Sequence, residues 1–268
     1  MLSLAMVCAA TAQAGELQVE RKGYHLQAQQ QGEGSVVVVF ESGFGQGPGV
    51  WKDVIAELGT ACHCVAYARA GLGDSGTDGT PKTIEVHLQD LGAVVDALAP
   101  DRKVVLVGHS YGGLLATEFA RLHPDRVQGL VLVDPATMGQ RHAFKAANLE
   151  RVLADDKTLL SVLPPKMAED YVLLVEQLDS ATAAAEHGQA DVPVALLTST
   201  QVAAEPFVLE ETAQGKAIWK RQHAALFAGY SRGTHRYFDT GHNIHREDPK
   251  AVADAIRSLV APAQDKLE

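Results

Sequence analysis

Val104-Val105-Leu106-Val107-Gly108-His109-Ser110-Tyr111-Gly112 is the stretch on which the reading of this chain turns. Four apolar β-formers run straight into Gly-x-Ser-x-Gly. A helical pattern follows at once, with Leu115, Phe119 and Leu122 at i, i+4 and i+7, until His123-Pro124 stops it. A serine on so sharp a strand-to-helix turn is held in a strained backbone conformation. Its oxygen projects away from the chain, and backbone N–H groups point at whatever that oxygen attacks. Side chains at Gly108 and Gly112 would collide with the neighbouring strand and helix. Ser110 is therefore the candidate nucleophile.

The elements on either side alternate between strand and helix. Glu16 to Gln29 alternates weakly, as an early hairpin would. Val36 to Phe40 is a continuous apolar run, expected of a strand buried on both faces. Trp51, Val54, Ile55 and Leu58 mark a helical face, and Val65 to Tyr67 a short strand. Ile84, Leu88, Leu91, Val95 and Leu98 mark a longer helix behind a Thr83 N-cap. Strands follow at 104–107, Leu130 to Val133, Pro193 to Leu197 and Arg236 to Phe238. A helical segment spans Lys216 to Phe227, and a last helix starts at Asp248-Pro249. Residues 137–189 have helical composition and no strand. The pattern predicts an α/β fold with a mostly parallel, doubly wound sheet built from 15–136 and 190–268. The helical segment 137–189, inserted after the sixth strand, is predicted to form a small cap over the carboxyl ends of the strands.

The chain has 268 residues, 46% of them hydrophobic, enough for one α/β domain with a sizeable core. Its 23 basic against 33 acidic residues give a formal charge of −10, which argues against nucleic-acid binding through a general basic surface. Met1 to Ala14 carries no charge, Leu2 to Ala10 is apolar or small, and Ala12-Gln13-Ala14 precedes Gly15. This predicts a signal peptide and export to the periplasm or outside, although the usual basic start is missing; a cytoplasmic protein is the alternative. The segment is too short for a permanent membrane anchor. Cys62 and Cys64 stand two apart on a predicted strand, so they are expected on opposite faces, packed rather than bridged. Cys62-His63-Cys64 lacks the second ligand pair of a zinc site, so no metal and no cofactor are expected.

A serine needs a base within hydrogen-bond reach. His242, in Thr240-Gly241-His242-Asn243, lies in a loop between a short strand and the last helix. Gly241 gives it room to project from the turn; His245 and His235 are the other candidates nearby. Acyl transfer also needs donors for a developing oxyanion. One is the N–H of Tyr111; the second is expected from Glu41-Ser42-Gly43-Phe44-Gly45-Gln46-Gly47, whose glycines let the backbone pass close to the serine.

Three segments together resemble the α/β-hydrolase superfamily, in its capped serine esterase-like branch: Val37 to Phe44, Tyr67 to Ser75 and Gly108 to Gly113. The resemblance implies Ser110 as nucleophile, His242 as base, and the N–H groups of Phe44 and Tyr111 as oxyanion hole. Ser42-Gly43 replaces the family's usual His-Gly, and Ala68-Arg69 its usual Asp-Arg. Serine at position 110 argues against the dehalogenase and epoxide-hydrolase branches, which use aspartate there. The family usually places the triad acid just after the strand read here as 193–197. The first carboxylate there is Glu205, several residues along. Asp134 closes the strand before it, 24 residues after Ser110. A strand end fixes a side chain more rigidly than a loop, so Asp134 is preferred. The expected function is hydrolysis of a small or medium carboxylic ester through an acyl-enzyme, with a small-molecule ester or amide as the only partner implied. Small-substrate amidase or peptidase action, cofactor-free perhydrolysis and a non-catalytic ligand-binding role on the same fold are the alternatives. Oligomeric state is left open.

Overall fold

A computed structural model describes residues 15–181 and 189–260. The predicted leader, 1–14, lies outside the described residues, as do 182–188 of the predicted cap segment. Eight strands form one sheet. The hairpin β1 (Gly15–Arg21) and β2 (Tyr24–Gln31) joins β3 (Val37–Glu41), β4 (His63–Tyr67), β5 (Val104–His109), β6 (Val127–Val133), β7 (Val194–Ser199) and β8 (Gly233–Phe238). Their spatial order is β1-β2-β4-β3-β5-β6-β7-β8. The hairpin pairs antiparallel and every pairing among β3 to β8 is parallel.

Helices cover both faces, as a parallel sheet requires. They are α1 (Lys52–Leu58), α2 (Ile84–Leu98), α3 (Tyr111–Leu122), α4 (Gln140–Val162), α5 (Pro165–Ser180), α6 (Ala213–Ala228), α7 (Ile244–Glu247) and α8 (Pro249–Val260). The two core layers fall out of strand alternation. Val37, Val39, Leu106 and Leu130 pack under α2 and α3, whereas Val38, Phe40, Val105 and Val131 pack under α1 and α8. Thr83 caps α2 as expected, accepting from the Val86 N–H. Asp248 accepts from the Ala251 N–H and so caps α8.

The segment between β6 and β7 folds as α4 and α5. Helix α4 kinks at Asn148 (φ −160°), whose side chain accepts from the Arg151 N–H and restarts the helix. The two helices are tied by Arg141, which reaches Asp156 on α4 at 2.6 Å and Asp179 on α5 at 2.8 Å.

Two expectations change. The two cysteines do not lie on opposite faces: residues two apart along an extended backbone point the same way, so Cys62, Cys64 and Ala66 share one face. Both sit in the same buried layer with their sulfurs 3.2 Å apart, as free thiols. Gly47 has open space where a Cβ would stand, so its glycine is not what lets the 41–47 loop approach the serine. The strands are also longer than their apolar runs. β5 extends through His109, and β8 starts at Gly233, because ladder pairing rather than hydrophobicity sets their ends.

The glycines of the turn are held by close packing. A Cβ on Gly108 would stand 2.4 Å from the Gly112 carbonyl, and one on Gly112 would stand 2.2 Å from the Glu41 carbonyl. Gly112→Ala forces α3 away from β3, costing about 1–3 kcal/mol, which corresponds to a Tm loss of roughly 5 °C. Gly47→Ala is expected to leave Tm within about 1 °C of the parent, since surface changes usually stay within ±0.5 kcal/mol. Thermal melts of the two variants check both.

Candidate active site

Ser110 sits between β5 and α3 at φ 52°, ψ −121°. A non-glycine residue reaches that region only under constraint. The constraint is visible. The Ser110 N–H donates to the Val133 carbonyl at 3.2 Å, and the Ser110 carbonyl accepts from Gly113, Leu114 and Ala136. Tyr111 is the first residue of α3, so its N–H has no acceptor within the helix.

Asp134 is the other non-glycine residue at positive φ among the described residues, at 46°. His109 pairs with Val133 across β5 and β6, so Ser110 and Asp134, one residue on from each, leave the sheet side by side. Asp134 is fully buried and each of its oxygens accepts two hydrogen bonds. Oδ1 takes the Ser199 N–H (2.7 Å) and Trp219 Nε1–H (2.8 Å); Oδ2 takes the Ser199 hydroxyl (2.7 Å) and His242 Nδ1–H (2.7 Å). Burial pushes this carboxyl up, but the hydrogen bond and charge of His242, with Lys216 behind, hold it well below the usual carboxylate range.

His242 lies in the loop between β8 and α7. With Nδ1 committed to Asp134, Nε2 is the nitrogen left to exchange a proton. Its ring is packed between His109 (centroids 4.6 Å apart) and Trp219 (5.9 Å), and His109 Nε2–H donates to the His242 carbonyl. Burial depresses the imidazole's affinity for protons. Glu210 and Asp134 more than reverse this, and the His242 pKa is pushed up to about 9. Neither other histidine is placed to serve. His245 is buried against Trp51 and His109 with no hydrogen-bond partner among the described residues, and His235 Nε2 meets the Thr198 hydroxyl at 2.8 Å.

The loop after β3 forms a turn closed by Gln46 N–H to the Gly43 carbonyl, with Gly45 at φ 67° and Phe44 at its corner. Buried Arg69, the second residue after β4, clamps it by donating to the Glu41 carboxylate and to the Ser42 and Gly43 carbonyls. This accounts for the two departures in sequence. Ser42 is a structural hydroxyl, accepting from Trp51 Nε1–H and donating to the Gly47 carbonyl, and Arg69 secures the loop without an aspartate before it. Phe44, Tyr111 and Ser110 line a cavity of about 240 Å³ together with Phe144, Leu174 and Glu210.

Ser110, Asp134, His242, Phe44 and Tyr111 thus collect at the carboxyl ends of the strands. Glu205 is exposed in the loop after β7 and makes no hydrogen bond to His242. Glu210, five residues further on, was not anticipated. It lies in the short 3-10 turn Leu209–Glu211 with its Oε1 3.4 Å from His242 Nδ1. Nothing local marks it, because the chain must first fold back over the site. Asp134, Glu210 and His242 also present three ligand atoms within 4.8 Å of one another, yet the four donors on Asp134 already fill its acceptor sites. Among the described residues no helix is long and apolar enough to cross a membrane.

The model of the alpha/beta hydrolase family matches residues 37–255. An uncharacterized protein of Bacillus subtilis (strain 168), YqjL, is 26% identical over 234 residues, covering 87% of this chain and 86% of its own. Among solved structures, an epoxide hydrolase from Vigna radiata, VrEH1, superposes with TM-score 0.68 at 17% identity over 92% of this chain and 97% of its own. A serine hydrolase involved in carbazole degradation, CarC, does so with TM-score 0.67 at 19% identity over 92% and 99%. The same backbone therefore carries more than one chemistry, and the side chains at the site must distinguish them.

An NMR titration of the imidazoles is expected to give His242 a midpoint near 9, against about 6.5 for an unperturbed histidine. Asp134→Asn is expected to lower that midpoint by about one unit or more, since an opposite charge at hydrogen-bond distance raises it by that much.

Proposed function

The chain belongs to the alpha/beta hydrolase family, and on that premise we propose that it is a serine hydrolase of small or medium carboxylic esters. The observation that carries the reading is the 2.7 Å hydrogen bond from His242 Nδ1 to Asp134, one strand over from a serine at φ 52°. Hydrolysis on this arrangement runs in two steps. Ser110 Oγ attacks the ester carbonyl carbon while His242 Nε2 takes the hydroxyl proton. The Phe44 and Tyr111 N–H groups receive the oxyanion. Collapse of the tetrahedral species expels the alcohol, which leaves with the proton from His242. Water then gives a proton to His242 and attacks the acyl-serine, and the acid is released as Ser110 regains its proton. Asp134 stays ionised throughout, fixing the tautomer and stabilising the imidazolium.

Helices α4 and α5 act as the lid. Leu159, Tyr171 and Leu174 of these helices line the cavity that holds Ser110, and its walls are mainly apolar, which suits an acyl chain rather than a charged group. The resemblance puts aspartate at this position in the dehalogenase and epoxide-hydrolase branches, and this chain has Ser110 there. Export is part of the same proposal. Its support is the apolar or small run Leu2 to Ala10 followed by Ala12-Gln13-Ala14 before Gly15. Intact mass of protein recovered outside the cytoplasm is expected to start at or near Gly15, and full-length protein confined to the cytoplasm would overturn this part.

A fluorophosphonate probe is expected to label Ser110 alone, with labelling lost in a folded Ser110→Ala variant; labelling that persists would sink the nucleophile assignment. With a p-nitrophenyl ester, Asp134→Asn is expected to lower kcat by about a thousandfold with little change in KM, in line with the loss on removing a triad acid's charge. Glu205→Gln is expected to change neither. Because only neutral His242 can accept the serine proton, kcat/KM is expected to rise with pH through a midpoint near 9.

A further inference from the structure

Asp134 does not stand alone beside the base. Glu210 Oε1 lies 3.4 Å from His242 Nδ1 and 3.8 Å from the Lys216 ammonium. We propose that Glu210 is a second carboxylate serving the His242 base, a positioning residue that holds the imidazolium alongside Asp134 and sustains turnover when the Asp134 charge is removed. The proposal rests on the reading of His242 as the catalytic base.

Three observations carry it. The first is delivery. Glu210 comes from the loop after β7 and Asp134 from the end of β6, so the two carboxylates reach one imidazole nitrogen from adjacent strands. The second is that Glu210 is held there. The Leu209 N–H donates to Asp155 of α4 at 2.6 Å, and Thr212 closes the turn by donating to the Leu209 carbonyl at 2.7 Å. A lid helix therefore fixes the residue beside the base. The third is charge balance. Burial pushes the Glu210 carboxyl up while His242 and Lys216 oppose this; with both ionised, Asp134 and Glu210 bring two negative charges to a site that also holds Lys216, whose ammonium donates to the Ser199 hydroxyl that in turn donates to Asp134. With neutral His242 the set carries one net negative charge, and protonation of His242 cancels it. Such a site favours the imidazolium that forms as the serine is deprotonated.

The other titratable groups around His242 do not compete for this role. His109 from β5, His223 from α6 and His245 from α7 are all held neutral by burial, His223 to a pKa of about 4 and His245 to about 3. Glu211 is the neighbour of Glu210 on the same turn, and its Oε2 is taken by the Phe207 N–H. Lys216 is the remaining cation, and it opposes rather than supplies a proton at His242.

The test combines His242 titration by NMR with a double-mutant cycle in ester hydrolysis. Glu210→Gln is expected to lower the His242 midpoint by about one unit and to move the kcat/KM profile with it, the effect of losing an opposite charge within ~4 Å. Glu210→Asp, which keeps the charge, is expected to restore most of that shift, and thermal melts of both are expected to match the parent. In the Asp134→Asn background, Glu210→Gln is expected to cost a further factor of about ten or more in kcat, clearly more than in the parent, because coupled residues are non-additive. An unchanged midpoint in Glu210→Gln, or equal costs in the two backgrounds, would overturn the proposal and leave Glu210 as a partner of Lys216 only. Glu210→Ala serves the same comparison should Glu210→Gln fold poorly. The titration does not depend on Ser110, so a shifted midpoint in a protein that Ser110→Ala leaves active would remove the nucleophile assignment and keep the charge coupling.

Discussion

Burying the Asp134 carboxylate constrains this molecule more than any other contact. An ionised group taken wholly out of water is tolerated only where it is surrounded by donors and opposite charge. Here the donors come from three different places: β7 through Ser199, α6 through Trp219, and the loop before α7 through His242. Each must be in place for the charge to be accommodated. Satisfying the carboxylate therefore fixes the relative positions of the last third of the fold, and the imidazole is oriented as part of the same set of bonds.

On the other side of Ser110 a second buried charge does comparable work. Arg69 pairs with Glu41 and also donates to two carbonyls of the loop after β3. Its guanidinium also lies 5.2 Å from the centre of the Tyr111 ring. The backbone that presents Phe44 is thus braced by a rigid planar fork, which suits two convergent carbonyls better than a lysine would. The strained serine is clasped between these two polar clusters, with Gly112 allowing α3 to seat directly on the Glu41 carbonyl. Strain at Ser110 and at Asp134 is sustained because packing on both flanks leaves neither residue an easier conformation.

The helices inserted between β6 and β7 also reach the residues around His242. Arg141 welds α4 to α5, and Asp155 of α4 reaches down to the turn that carries Glu210. The carboxylate beside His242 is therefore held in part by the insertion. A helix pair whose sequence shows no catalytic motif thus lines the Ser110 cavity and also holds the Glu210 turn, through Asp155 and Arg151 of α4.

Short-range pattern determined a great deal by itself. The apolar run 104–107, the glycines around Ser110 and the helical spacing after it fix a strand, a sharp turn and a helix, since each follows from steric rules acting within a few residues. The parallel order of the core strands, the helical insertion before β7, Thr83 and Asp248 as caps, and Asp134 beside the serine were legible for the same reason. Only the tertiary structure decided the rest. Glu210 meets His242 because a loop of undistinguished sequence is pulled back by Asp155. Arg69 becomes a clamp because β4 lies next to β3. Contacts of this kind depend on long-range packing and on the cost of leaving buried charge unpaired, and neither can be read from neighbours along the chain.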